Sequence, residues 1–191
     1  MFLEAQFLLP LSFFLGSLPF GWMIAKLWGV PDIRKVGSAN VGATNVVRTI
    51  GFLPGALTFI LDFLKGYLPM VLFQCTGDVC GDSNIWVGFA GVCGHCFSPF
   101  LSFKGGKGVS TTLAVFLALN PWIGFVCMLT YVLVLLVLKV SALGSLYAMF
   151  AGLTGVLLFI PSPLEKIVVF IIVCIVLHKH RENWEKLLEH I

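Results

Sequence analysis

The chain has 191 residues, 59% of them hydrophobic and only 11% charged, with a mean hydropathy of +1.01. A water-soluble domain carries about a quarter charged residues, so this composition excludes one and makes lipid the solvent for most of the chain. At roughly 20 apolar residues per crossing there is room for six or seven spans in a single domain over residues 1–191, and none for a separate soluble domain.

The N-terminal apolar stretch from Ala5 to Trp28 has no basic region before it, carries Glu4, and lacks a small-x-small cleavage site. It is read as a first retained span and not as a signal peptide. Apolar runs and their interruptions predict spans near 5 to 27, 52 to 74, 85 to 103, 108 to 119, 122 to 138, 142 to 160 and 164 to 179. The turn signal Asn120-Pro121 separates the fourth from the fifth; a kink within one helix there would change the count and the sidedness downstream. Pro161-Ser162-Pro163 makes a similar break before the last span.

With seven spans, Lys26, Arg34, Lys35, Arg48, Lys104, Lys107, Lys139, Lys179, Arg181 and Lys186 fall on one face. Basic residues in short loops stay on the cytoplasmic side, which puts the N-terminus outside and the C-terminus inside. The other face carries Glu4, Asp78, Asp82 and Glu165 against Lys166. The net charge of +3 is therefore a topology signal, and no nucleic-acid partner is expected. Asp62 and Lys65 stand inside a span at i,i+3, on one helix face. An internal structural pair is the favoured reading, and a polar wall facing a cavity the alternative.

Of six cysteines, Cys93 and Cys96 form C-x-x-C around His95 within an apolar run, but no second ligand pair stands at zinc spacing, so no metal is expected. Cys127 and Cys174 read as packing residues, and a disulfide between Cys75 and Cys80 stays open.

Four polar clusters gather on the basic face. Gly37-Ser38-Ala39-Asn40-Val41-Gly42-Ala43-Thr44-Asn45, followed by Arg48, joins small residues that admit an anion to backbone amides with hydrogen-bonding Ser38, Asn40, Thr44 and Asn45. It reads as a phosphate or polyol cradle, a merely solvated loop being the blander alternative. Phe103-Lys104-Gly105-Gly106-Lys107-Gly108 precedes Ser110 and Thr111 at a helix start, where free N–H groups attract anions. It is no Walker A motif, because Leu101 and Gly108 stand where a glycine and a Ser or Thr are needed. His95 alone reads as a buried, hydrogen-bonded helix residue. The remaining clusters run from Lys139 to Ser145 and from His178 to Asn183, with Trp184 placed among lipid headgroups.

Taken in order, Gly16-Ser17-Leu18-Pro19-Phe20-Gly21, the G-S-A-N-V-G-A-T-N loop, Leu61-Asp62-Phe63-Leu64-Lys65-Gly66, F-K-G-G-K-G and the closing H-R-E-N resemble the PlsY family, the acyl-phosphate glycerol-3-phosphate acyltransferases of bacteria. The resemblance covers nearly the whole chain. It implies an all-α, seven-span enzyme of the bacterial inner membrane with a site facing the cytoplasm. It also implies acyl transfer from acyl phosphate to the sn-1 hydroxyl of glycerol 3-phosphate, giving lysophosphatidic acid and phosphate in the first acylation of phospholipid synthesis. By motif it assigns the catalytic set Ser38, Arg48, Lys107, Ser145, His180 and Asn183, with Lys139 at the family's basic position. Asn40, Gly42, Thr44, Asn45, Lys104, Gly105 and Gly106 are the expected substrate contacts. Ala142 replaces the first serine of the fifth-to-sixth turn, Cys96-Phe97-Ser98-Pro99 displaces a G-H-x-x-P pattern by one residue, and Trp184 stands where an aliphatic residue is common. Expected partners are glycerol 3-phosphate, acyl phosphate and membrane lipid, with a contact to the acyl-phosphate-producing enzyme left open; no cofactor is expected. The competing class is a small anion or organic-phosphate transporter, to which the intramembrane Asp62 and Lys65 would suit a permeation path. Transporter folds of that kind show internal repeats with broken mid-membrane helices, whereas the polar motifs here sit at the membrane edge.

Overall fold

The computed structural model describes residues 2–74 and 84–183, and every regular element among them is helical. Cys75 and Cys80 of the possible disulfide, the acidic Asp78 and Asp82, and Trp184 and Lys186 lie outside the described residues.

The first apolar run is two helices, α1 (Phe2–Ser17) and α2 (Phe20–Leu27), broken where Pro19 removes a backbone donor. Carbonyls freed inside a membrane need partners. Ser98 Oγ donates to Ser17 O at 2.6 Å and Lys65 Nζ to Leu18 O at 2.8 Å, so two later elements fill the gap.

The polar loop that follows carries a turn of 3-10 helix at Ile33–Lys35. Asp32 caps it and pairs with Arg34 at 2.9 Å, and that guanidinium holds the half-buried Asp32 carboxyl down at about 2. A short helix that the sequence reading did not anticipate, α3 (Ala43–Thr49), then leads into α4 (Phe52–Gln74).

The third apolar run ends sooner than expected. Helix α5 (Asn84–Cys96) stops short of Pro99, which disfavours helical backbone before it, and a 3-10 turn at Pro99–Leu101 leads into the glycine-rich loop. Gly108, at φ +85°, starts α6 (Val109–Leu119); a Cβ there would also stand 2.8 Å from Cys96 Sγ.

The turn read at Asn120-Pro121 is real. Asn120 Oδ1 accepts from Trp122 N and Ile123 N at 2.9 and 3.4 Å, and Pro121 opens α7 (Pro121–Leu138). Lys139 closes α7 in the left-handed conformation, and α8 (Ser141–Phe159) follows. Ser162 and Pro163 start α9 (Pro163–Lys179) in the same capped manner.

Among the described residues, four helical stretches are long and apolar enough to cross a membrane: Phe7–Leu27, Phe52–Leu72, Pro121–Leu138 and Ser141–Phe159. Helices α5, α6 and α9 are shorter, at 13, 11 and 17 residues. Lipid gives helices no hydrophobic reason to associate, so small residues that allow close approach decide the packing. A Cβ on Gly16 would fall 2.2 Å from the Gly91 carbonyl oxygen, and one on Gly94 2.2 Å from that of Phe13, which seats α1 directly on α5. Gly152 of α8 likewise admits the buried ring of Phe116 from α6. Phe125, Leu129, Val132, Leu133 and Leu136 of α7 are exposed, an apolar surface suited to lipid.

Candidate active site

A cavity of about 450 Å³ opens where the loop before α3, the start of α6, the α7–α8 turn and the end of α9 meet. All six residues of the expected catalytic set line it: Ser38, Arg48, Lys107, Ser145, His180 and Asn183. So do Asn40, Gly42, Thr44 and Asn45. Lys104, Gly105 and Gly106 lie outside that lining. Lys104 is exposed, while Gly105 and Gly106 press on the end of α5, where added Cβ atoms would stand 2.1 Å from His95 O and from His95 Nε2. Their smallness shapes the wall behind the cavity.

The cradle is built by one buried amide. Asn45 Oδ1 accepts from Ser38 N at 2.8 Å, and Nδ2 donates to Ile33 O, Val36 O and Asn40 O at 3.3, 3.0 and 2.8 Å. Asn45 is 1% exposed and its polar atoms are all engaged, so it holds the loop in shape around whatever the loop binds. Gly37, at φ +62°, passes so close that a Cβ would stand 2.3 Å from Asn45 Oδ1.

Opposite the cradle, Lys107 Nζ donates to Asn183 Oδ1 and joins the glycine-rich loop to the end of the chain. His180 is buried, and its Nδ1 stands 2.7 Å from Val176 O one turn back. That carbonyl can only accept, which fixes the proton on Nδ1 and leaves Nε2 as an acceptor. Burial, with the positive Lys107 nearby, pushes the His180 pKa below its ordinary 6.5 against the opposing effect of the Val176 carbonyl, so the imidazole is neutral at pH 7.

The turn before α8 contributes hydroxyls. Ser141 Oγ lies 3.0 Å from both Thr44 Oγ1 and Tyr131 Oη, and Ser145 Oγ donates to Ser141 O at 3.0 Å. Tyr131 was missed by the sequence reading, because a single tyrosine inside the apolar run Leu129–Leu138 carries no motif. Ser141 lies within the polar cluster from Lys139 to Ser145, and the sequence signal that sets it apart is its place at a helix start beside Lys139.

Asp62 and His95 also line the cavity. The Asp62–Lys65 pair forms at 2.7 Å with both side chains at least 96% buried, as the structural reading expects, and Asp62, though not Lys65, also stands in the cavity lining. His95 is buried as expected, but its Nδ1 has no hydrogen-bond partner among the described residues and stands 3.6 Å from Asp62 Oδ1. Phe59, Val109 and Leu113 add an apolar side. The cavity thus offers cations for anionic groups, hydroxyls and amides for a polyol, and an apolar wall for a hydrocarbon chain.

A family model described as glycerol-3-phosphate acyltransferase matches residues 6–190. The chain belongs to the glycerol-3-phosphate acyltransferase family. A glycerol-3-phosphate acyltransferase of Trichlorobacter lovleyi is 42% identical over 178 residues, covering 93% of this chain and 90% of that one. One of Aquifex aeolicus is 38% identical over 188 residues, covering 97% and 96%. The crystal structure of PlsY (YgiH), an integral membrane glycerol 3-phosphate acyltransferase in its glycerol 3-phosphate form, matches with a TM-score of 0.92 at 36% identity, over 98% of this chain and 93% of that one. Its lysophosphatidic acid form matches with a TM-score of 0.90 at 35% identity, over the same shares. The chain is therefore an integral membrane acyltransferase, and the resemblance read from its motifs holds along its length.

Proposed function

We propose that this enzyme transfers a fatty acyl group from acyl phosphate to the sn-1 hydroxyl of glycerol 3-phosphate, releasing lysophosphatidic acid and phosphate. The observation that carries this reading is the convergence of Arg48, Lys107 and Lys139 on one cavity that also has an apolar side at Phe59 and Leu113. Two phosphate-bearing substrates, one with an acyl chain, ask for that combination. Acyl phosphate is already activated, so catalysis needs positioning and charge stabilisation more than a strong nucleophile.

In this mechanism Arg48 and Lys107 hold phosphate, with Asn183 orienting the Lys107 ammonium through their hydrogen bond. Ser38 and Asn183 orient the glycerol, while Ser145 and the loop residues Asn40, Gly42 and Thr44 complete the walls. Lys104, Gly105 and Gly106 act through the shape and charge of the loop that carries Lys107. The sn-1 oxygen bonds to the acyl carbon and the carbon–oxygen bond to phosphate breaks. The hydroxyl proton, assisted on its way by His180 Nε2, ends on the released phosphate.

The same reading makes residues 1–191 one domain with seven spans in a bacterial inner membrane, N-terminus outside and C-terminus inside. Its support is the basic rim around the cavity, drawn from the ends of elements far apart in sequence. Docking of the acyl-phosphate-producing enzyme at that cytoplasmic face belongs to the proposal too. The test is transfer from acyl phosphate to glycerol 3-phosphate by purified protein in detergent. Turnover without any vesicle is expected of a transferase; activity that appears only in sealed vesicles would favour transport.

A further inference from the structure

The cations of the cavity stand on its loop and helix-end elements, Arg48 on α3, Lys107 before α6 and Lys139 after α7. Asp62 stands deeper, ten residues into α4, where its backbone carbonyl accepts from Thr111 Oγ1, one turn beyond Lys107, at 3.1 Å. A buried carboxylate repels phosphate and is a strong acceptor for a hydroxyl.

Several features keep this carboxylate ready. Asp62 is 2% exposed and His95 6%, yet both line the substrate cavity. Lys65 neutralises Asp62 at 2.7 Å, and the same ammonium is tied to Leu18 O in the break between α1 and α2. That is one short contact of the roughly four a carboxylate can accept. His95 Nδ1, lacking a hydrogen-bond partner among the described residues, is held beside the same oxygen while Gly106 backs the other edge of the ring. A purely structural ion pair would need neither a face on the cavity nor an unfilled imidazole beside it.

We infer that Asp62, positioned by His95 and Lys65, accepts a hydrogen bond from the non-reacting C2 hydroxyl of the three-carbon acceptor alcohol and so selects it. The inference rests on the proposed function of the cavity. With phosphate at the cationic rim and C2 anchored at the floor, the C1 oxygen is left to face the acyl carbonyl. A site built to bond a hydroxyl strongly rejects the analogue lacking it, because the buried acceptor is then left unpaired.

The test compares kcat/KM for glycerol 3-phosphate and for 3-hydroxypropyl phosphate, which lacks only the C2 hydroxyl, with acyl phosphate as donor. The wild type is expected to prefer glycerol 3-phosphate by about 100-fold or more. Asp62→Asn is expected to lower kcat/KM for glycerol 3-phosphate by at least about tenfold more than for the analogue, a change of specificity that loss of structure alone does not produce. Equal losses on both substrates in Asp62→Asn would overturn the inference. Should that variant not fold, similar wild-type efficiency on both alcohols overturns the inference alone; where the wild type shows the preference, Asp62→Glu, which displaces the carboxylate by one methylene, is expected to narrow it, and an unchanged preference in Asp62→Glu overturns the inference. No turnover of glycerol 3-phosphate by the folded wild type would instead overturn the proposed function, and the subsite with it.

Discussion

The side chains of Lys107 and Asn183, 76 residues apart in sequence, are joined by a hydrogen bond from Nζ to Oδ1 that closes the cavity between the glycine-rich loop and the end of α9. An ammonium aimed this way meets a phosphate in one orientation, so Lys107→Ala is expected to lose nearly all transfer while the protein stays folded and inserted. Losing a charge-assisted contact to a desolvated anion costs roughly 2 to 5 kcal/mol, or about 30-fold to several thousand-fold in rate. Lys166→Ala, on α9 but outside the cavity lining, is expected to be close to silent. Initial rates of the two variants in matched detergent extracts check this. More than about a third of wild-type kcat/KM in Lys107→Ala would remove Lys107 from the site.

His180 gives a prediction in pH. Its folded pKa is lowered below 6.5, so it is neutral above 6.5 in both folded and unfolded states and becomes charged in the folded protein only on further acidification. Nε2 then ceases to be an acceptor, and the stability that neutral burial contributes above pH 6.5 is lost as pH falls through the folded pKa. The ratio of wild-type to His180→Gln rates, in which ionisation of the substrates cancels, should be flat above pH 7 and fall with a midpoint below 6.5. A midpoint above 7 would contradict the burial argument.

Asn45→Ala removes four hydrogen bonds of the cradle at once. Orphaned backbone groups that water can partly reach cost of the order of 1 kcal/mol each, so a loss of about 2 to 4 kcal/mol is expected. A fall in melting temperature together with a raised KM for glycerol 3-phosphate would show it. A variant with unchanged stability would mean that the loop holds its shape by other means.

Much of this architecture was legible in the sequence because its signals are local. Asn120-Pro121 and Ser162-Pro163 are helix starts written in adjacent residues, and both appear as such. The clusters around Ser38, Lys107, Ser145 and His180 were visible as polar interruptions of apolar runs, and the fold brings all four to one cavity. What stayed hidden depends on partners far away in the chain. The break at Leu18-Pro19 is stable because Lys65 and Ser98 answer its carbonyls, which no local pattern announces. The role of Asn45 as scaffold, and that of Gly105 and Gly106 as spacers against His95, emerge only when tertiary neighbours are known. Tyr131 reaches the site because α7 and α8 pack side by side and set it against Ser141.

Topology is open to direct test. Single cysteines introduced after Lys179 and in the 161–163 break of a cysteine-free variant should label from opposite sides of the membrane. The C-terminal position is expected to be shielded in intact cells and to react after permeabilisation. Labelling of the C-terminal position by an impermeant reagent in intact cells would reverse the orientation.

The central claim, that an activated acyl phosphate is turned over by positioning at this cavity, is tested most directly by a donor competition. Purified protein in detergent is given glycerol 3-phosphate with acyl phosphate, acyl-CoA or acyl carrier protein bearing the same chain, and lysophosphatidic acid and free phosphate are counted. One phosphate released per lysophosphatidic acid formed, from acyl phosphate alone, is the expected result. Equal turnover with acyl-CoA, or acylation without phosphate release, would contradict the account.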